Sequence, residues 1–143
     1  MKYFLMLLSL ATFACGKTEK TTTKKETQIA VVADTKANQE PTVAKVVDVP
    51  EFESLIKNKN VLLVDVRTPQ EYQAGHIEGA KSLNFFDDDF KKQLSTLDKN
   101  QAIAVYCKSG HRSGKTREML KQMGFKTVYD LKGGYLNWAG SHK

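Results

Sequence analysis

The stretch Ala102-Ile103-Ala104-Val105-Tyr106-Cys107-Lys108-Ser109-Gly110-His111-Arg112-Ser113-Gly114 passes without a break from an apolar run into a loop of small, polar and cationic residues. The run 102–107 reads as a strand buried on both faces, as in a parallel sheet. Gly110 and Gly114 then allow unusual backbone angles. Helical spacing follows as far as Gly124, with Met119, Leu120 and Met123 on one face and the glycine as its stop. A strand that hands over to a helix through such a loop is the unit of an α/β fold. In open sheets of that class, ligands bind beyond the carboxyl ends of the strands.

The flanking sequence repeats the alternation. Val43–Val49 is an expected strand, and Pro50-Glu51-Phe52-Glu53 opens a helix through about Lys57, with proline and acids in its first turn. The run 61–66, VLLVDV, is a second buried strand. Pro69-Gln70-Glu71-Tyr72 starts a short helix that Gly75 stops, and Ser82–Phe85 is an expected short strand. Asp87, Asp88 and Asp89 are expected to cap a helix whose Phe90, Leu94 and Leu97 share one face; a hard-cation site is the weaker reading of the three carboxylates. Thr127–Leu131 is the last strand, and Tyr135–Trp138 lies on a terminal helix after Gly133-Gly134. The fold class is therefore α/β, with a mainly parallel sheet covered by helices on both faces.

Chemistry concentrates on the loop. A cysteine leaves a buried strand where a helix begins, so backbone N–H groups and the helix dipole converge on one point as an anion-binding nest. Lys108, His111 and Arg112 add cationic donors. Such surroundings favour a thiolate over a thiol, so the same loop would activate Cys107 and hold an anionic substrate. A buried structural cysteine would instead call for apolar neighbours on both sides. A redox-sensing thiol has no resolving partner in residues 43–143. Arg112, if solvated at a helix start, would sit slightly unfavourably against the dipole, which favours a role toward the substrate or the loop. Lys108 and His111 either touch substrate or point into water.

At this point the body from 43 to 143 resembles a single-domain rhodanese, a sulfurtransferase. The matching pieces are Leu63-Val64-Asp65-Val66-Arg67, Glu71-Tyr72, Gly75-His76-Ile77, Gly79-Ala80, Val105 to Ser113, and Leu131-Lys132-Gly133-Gly134-Tyr135 with Trp138. The resemblance implies a five-stranded parallel sheet. It also implies a catalytic Cys107 cradled by the amides of a six-residue loop ending at Arg112, with Lys108, Ser109, Gly110, His111 and Ser113 forming the substrate-binding surround. Asp65 and Arg67 would brace that loop or the turns beside it; a surface ion pair is the alternative, and would contribute little. His76 is expected to be a hydrogen-bonded turn residue, and Tyr135 and Trp138 to be packing residues. Glu78 stands where many members carry proline.

The implied reaction passes a sulfane sulfur from a small anionic donor such as thiosulfate to a thiophilic acceptor, cyanide or a thiol, with no metal and no cofactor. Related phosphatases carry one more residue between cysteine and arginine; four residues separate Cys107 from Arg112 here, which favours sulfur. Arsenate reduction and a non-catalytic partner-binding module remain as alternatives, and the retained cysteine argues against the module.

The chain has 143 residues, 41% of them hydrophobic and 27% charged, which fits one ordinary domain and a tail. Two cysteines are too few for a disulfide framework or a thiolate zinc site. The net charge of +6 is scattered, and so gives weak support to a nucleic-acid partner; none is expected. Residues 1–15 combine Lys2, an apolar run from Tyr3 to Phe13 and Ala14-Cys15-Gly16. The run is too short to span a bilayer and reads as a secretory signal. Cys15 resembles the lipidation cysteine of a bacterial lipoprotein, although Thr12 and Phe13 stand where such signals usually carry leucine and a small residue. Ordinary cleavage nearby, or a short uncleaved anchor, is the alternative. Residues 16–42, rich in Thr, Lys and Glu, form an expected polar tether. The expected location is the bacterial cell envelope, periplasmic and lipid-anchored through Cys15, where a protein partner would keep the Cys107 thiol reduced.

Overall fold

A computed structural model of the chain describes residues 42–143. The expected signal, Cys15 and all of the tether but Thr42 lie outside the described residues.

Five strands form one sheet in the order β1-β5-β4-β2-β3, and every pairing is parallel. They are β1 (Val43–Val47), β2 (Val61–Asp65), β3 (Lys81–Ser82), β4 (Ala102–Tyr106) and β5 (Thr127–Leu131). The crossovers carry α1 (Val49–Ile56), α2 (Pro69–Gln73), α3 (Phe90–Ser95) and α4 (His111–Gln122), and α5 (Gly134–Ser141) closes the chain. The central strand β4 lies between β5 and β2, which explains why its sequence is apolar at nearly every position.

Side-chain alternation along β4 feeds two apolar layers. Ile103, Val105 and Cys107 join Phe90 and Leu94 of α3 and Leu120 of α4 on one face. Ala104 and Tyr106 join Val49 and Phe52 of α1 on the other, with Tyr72 of α2 and Tyr135 and Trp138 of α5 packed against them. Leu120 and Phe125 are wholly buried, each worth about 1.5–3 kcal/mol relative to exposure.

Three local expectations change. The first strand ends at Val47, because Asp48 becomes the N-cap of α1 and accepts the Glu51 N–H at 3.1 Å, drawing Val49 into the helix. The short strand is Lys81–Ser82 instead of Ser82–Phe85, since only Val64 and Asp65 of β2 stand opposite it. The aspartates before α3 do not cap it: Asp89 is the N-cap residue without a side-chain cap bond. Its carboxylate instead accepts from Gln93 Nε2 at 2.6 Å, and that of Asp87 accepts from Asn84 Nδ2 at 2.6 Å. Among the described residues no cluster of three or more His, Cys, Asp or Glu could hold a metal ion.

Candidate active site

The loop that follows β4 reaches α4 in four residues, and Gly110 makes this possible. It is the N-cap of α4 at φ +97°, a left-handed conformation that suits glycine. That turn brings the Gly110 N–H back onto Cys107 Sγ at 3.2 Å. From the first turn of α4, the Ser113 hydroxyl reaches the same sulfur at 3.5 Å and donates to Gly110 O at 3.2 Å. Two donors and a helix N-terminus therefore converge on Sγ.

Cys107 is more enclosed than its loop suggests. It is 1% exposed, and its side chain belongs to the apolar layer that Val66 and Val105 also line. The thiol thus combines features of both sequence readings: an apolar floor, as for a structural cysteine, and a polar roof.

The entry to the loop is held from outside by α5. Tyr135 N donates to Cys107 O at 2.7 Å and Leu136 N to Lys108 O at 3.0 Å. With no cis peptide bond among the described residues, each N–H points opposite to the carbonyl of its own peptide unit. Tying these two carbonyls to α5 therefore turns the Lys108 and Ser109 amides away from that helix. Gly134 permits the approach. A Cβ there would collide with Cys107 O and lie 2.8 Å from the Lys108 carbonyl, and its φ is +61°. Gly134→Ala is expected to destabilise the fold by about 1–3 kcal/mol, through left-handed strain and overpacking. Urea denaturation measures this, and an unchanged midpoint would contradict the contact.

Asp65 and Arg67 lie beside this helix start and are buried, 0% and 3% exposed, not at the surface. Arg67 Nη2 donates to Asp65 Oδ2 at 2.7 Å, Nε donates to both carboxylate oxygens, and Arg67 N donates to Asp65 Oδ1 at 2.8 Å. The guanidinium also donates to Gly75 O at 2.7 Å and lies 4.0 Å from the centre of the Tyr135 ring. Burial alone would lower the Arg67 pKa, but the hydrogen bonds and charge of Asp65 outweigh it and the pKa is raised. The pair joins the end of β2, the turn after α2 and the residue whose N–H holds Cys107 O.

Arg112 is occupied by a protein partner. Its two terminal nitrogens grip Glu71 at 2.7 and 2.8 Å, and the guanidinium lies 5.6 Å from the Phe86 ring. Glu71 also closes a capping box with Thr68 at the start of α2. The Arg112 hydrogen bond holds the Glu71 carboxyl down at about 2, and Glu71 raises Arg112 in turn. Arg112 is thus a latch between α2 and the active loop.

Lys108, Ser109 and His111 are exposed. Among the described residues, the side chains of Lys108 and His111 make no hydrogen bond or ion pair. His76 is a turn residue: its Nδ1 pairs with Tyr72 O at 3.1 Å and its ring stacks on Tyr72 at 3.8 Å.

Sequence reasoning gave no role to Glu71, Gly134, Tyr106 or Asp130. The spacing Thr68-Pro69-Gln70-Glu71 is a readable capping box, and so a signal for Glu71. Tyr106 is wholly buried, accepts the Ile77 N–H at 3.1 Å and has its pKa raised by burial.

Comparison with known proteins agrees with this architecture. The profile of the Rhodanese-like domain matches residues 48–141. The protein YqhL of Bacillus subtilis (strain 168) is 33% identical over 81 residues, 57% of this chain and 63% of YqhL. A tRNA uridine(34) hydroxylase of Acinetobacter baumannii (strain AYE) is 38% identical over 101 residues, 67% of this chain but 32% of the hydroxylase. The chain thus spans less than two thirds of the length of either relative. The crystal structure of a rhodanese-related protein from Thermoplasma volcanium superposes with a TM-score of 0.61 at 25% identity, over 68% of this chain and 92% of that one. With the all-parallel five-stranded sheet, the cysteine loop at the end of its central strand and this match across the described body, the chain belongs to the rhodanese-like domain family.

Proposed function

We propose that this protein is a sulfurtransferase that carries a sulfane sulfur as a persulfide on Cys107. The supporting observation is the convergence of the Gly110 N–H and the Ser113 hydroxyl on Cys107 Sγ, at the N-terminus of α4.

In the first half-reaction the Cys107 thiolate attacks the outer sulfur of a donor such as thiosulfate. A new S–S bond forms, the donor's S–S bond breaks, and sulfite leaves with the electron pair. In the second, cyanide or a thiolate attacks the terminal sulfur, the persulfide bond breaks, and the thiolate of Cys107 returns. A thiolate suits both halves, since it is both nucleophile and leaving group. Charge on sulfur grows and moves in each step, and fixed N–H and O–H donors stabilise it without reorganising. Lys108 and His111, exposed on the loop, are free to attract the anionic donor.

Three features favour sulfur over phosphate. The loop leaves four residues between Cys107 and Arg112, and Arg112 is engaged by Glu71 instead of standing free to grip a tetrahedral oxyanion. Cys107 is also 1% exposed, which suits a slender donor atom. The hydroxylase likeness covers about a third of that longer protein and transfers no reaction to this chain. Placement in the cell envelope, with Cys15 as lipid anchor and a separate protein reducing the Cys107 thiol, rests on the N-terminal sequence alone.

The direct test is a paired assay of the purified protein. Thiocyanate formation from thiosulfate and cyanide is expected to exceed hydrolysis of an aryl phosphate by at least about a hundredfold, a transition-state preference of about 3 kcal/mol. Comparable rates, or phosphatase activity alone, would overturn the sulfur reading.

A further inference from the structure

On the face of the sheet that α1 and α5 cover, a cavity of about 380 Å³ opens between α1, the turn after α2 and the end of α5. Small-molecule sites run from about 300 to 1,000 Å³. No residue of the loop 107–113 lines the cavity, so it is separate from the candidate active site. Its apolar wall is Ile56, the buried Ile77 and the indole of Trp138. The indole is held edge-on to Phe52, with ring centres 6.3 Å apart, and stacks on His142 at 4.2 Å.

The polar side chains around this wall are rich in acceptors. His142 Nδ1 lies 2.8 Å from Trp138 O, and His76 Nδ1 lies 3.1 Å from Tyr72 O. A carbonyl only accepts, so each Nδ1 carries the proton, and in the neutral ring Nε2 is left as an acceptor. Glu53 Oε2 stands 3.9 Å from His142 Nε2. With the imidazole neutral, two acceptors thus face each other across a gap that no hydrogen bond closes. A nitrogen donor about 2.9 Å from each fits at the apex between them. Glu78, exposed beside them, makes no hydrogen bond or ion pair among the described residues. The other donors of the lining are Lys57 and the indole N–H, and Lys57 Nζ is spent on Glu53 Oε1 at 3.1 Å. Two carboxylates against one ammonium leave the cavity with a net negative charge, on a chain whose net charge is +6.

We propose that this cavity binds a small organic ammonium with an apolar body. Its N–H groups bridge Glu53 Oε2 and His142 Nε2, Glu78 adds the attraction of an unpaired charge, and the apolar part lies along Ile56, Ile77 and Trp138. An ammonium offers donors and no acceptor, which complements this lining, and its charge is favoured beside an indole. A neutral alcohol of the same shape brings one donor and no charge, and a carboxylate brings only further acceptors. The site stands apart from the sulfur chemistry, and binding makes or breaks no covalent bond.

Trp138 is the chain's single tryptophan, so indole fluorescence reports on this cavity. The full-length protein is titrated at about pH 8, where imidazole is ordinarily neutral and an alkylammonium charged. The probes are phenethylammonium, 2-phenylethanol and phenylacetate, which share one body and differ in charge. Calorimetry of the same titrations reads any binding to which the indole is blind. The ammonium is expected to bind saturably and at least about tenfold more tightly than the alcohol, as charge-assisted hydrogen bonds require. Phenylacetate should show no saturable binding. Glu53→Gln and Glu78→Gln should each weaken the ammonium several-fold and leave the alcohol unchanged. No saturable binding of the ammonium by either readout would overturn the proposal. So would equal affinity for the alcohol or for phenylacetate, or an ammonium affinity unchanged in either variant.

Discussion

Cys107→Ser is expected to abolish thiosulfate-dependent thiocyanate formation, with a fall of at least about 10³-fold, while the fold is kept. The magnitude follows from the role: a serine hydroxyl at this position is neither ionised near neutral pH nor able to hold a transferable sulfur, so both half-reactions lose their nucleophile. The structural cost is small, because the site already supplies polar partners. The Gly110 N–H and the Ser113 hydroxyl now on sulfur at 3.2 and 3.5 Å can serve an oxygen instead. Circular dichroism and urea denaturation should show a folded protein. Residual activity above about a tenth of the wild type, in a folded variant, would mean that sulfur travels by a route that bypasses Cys107.

Asp65→Ala is expected to cause the largest loss of stability, about 3–5 kcal/mol, because it strands a buried cation. Arg67 is 3% exposed and turns both Nε and Nη2 onto Asp65; the Gly75 carbonyl and the Tyr135 ring cannot replace a carboxylate. Removing both charges is a different matter. Asp65→Ala with Arg67→Met should recover much of the loss, since a buried pair replaced by apolar groups is often close to neutral. Thermal or urea unfolding of the two variants measures this. A single-mutant loss below about 1 kcal/mol would mark the pair as equivalent to a surface ion pair. The double variant should still transfer sulfur more slowly than the wild type, because the α5 start that holds Cys107 O would lose its brace.

The layout of the fold is legible where sequence period and burial agree. The runs 61–66 and 102–107 read as buried strands, and both lie inside the sheet, β2 between β4 and β3 and β4 between β5 and β2. The glycines after Cys107 read as a loop into a helix, which is where α4 begins. Boundaries were less legible, because they depend on single side chains with two possible uses. Asp48 could end a strand or cap a helix, and the cap won through the Glu51 N–H. The aspartates at 87–89 had the composition of a cap, but nearby amide side chains took their oxygens.

The candidate cysteine stands out in the sequence for a chemical reason, since the apolar run gives way abruptly to Lys-Ser-Gly-His-Arg. Its support does not, because it comes from elements distant in sequence. Glu71 is 41 residues from the arginine it grips. Gly134 reads as a turn glycine until α5 is seen pressed against the backbone of Cys107 and Lys108. Asp130 stands in an otherwise apolar strand end, where nothing local shows that its side chain lies under α4.

The central claim is that Cys107 takes up one sulfur atom and that its loop holds it. The protein should therefore be treated with thiosulfate, freed of excess donor and weighed intact by mass spectrometry. The account predicts a gain of one sulfur atom, mapped to the peptide that carries Cys107, removed by cyanide and absent in Cys107→Ser. A folded wild-type protein whose mass is unchanged by thiosulfate and by other sulfane donors would contradict it.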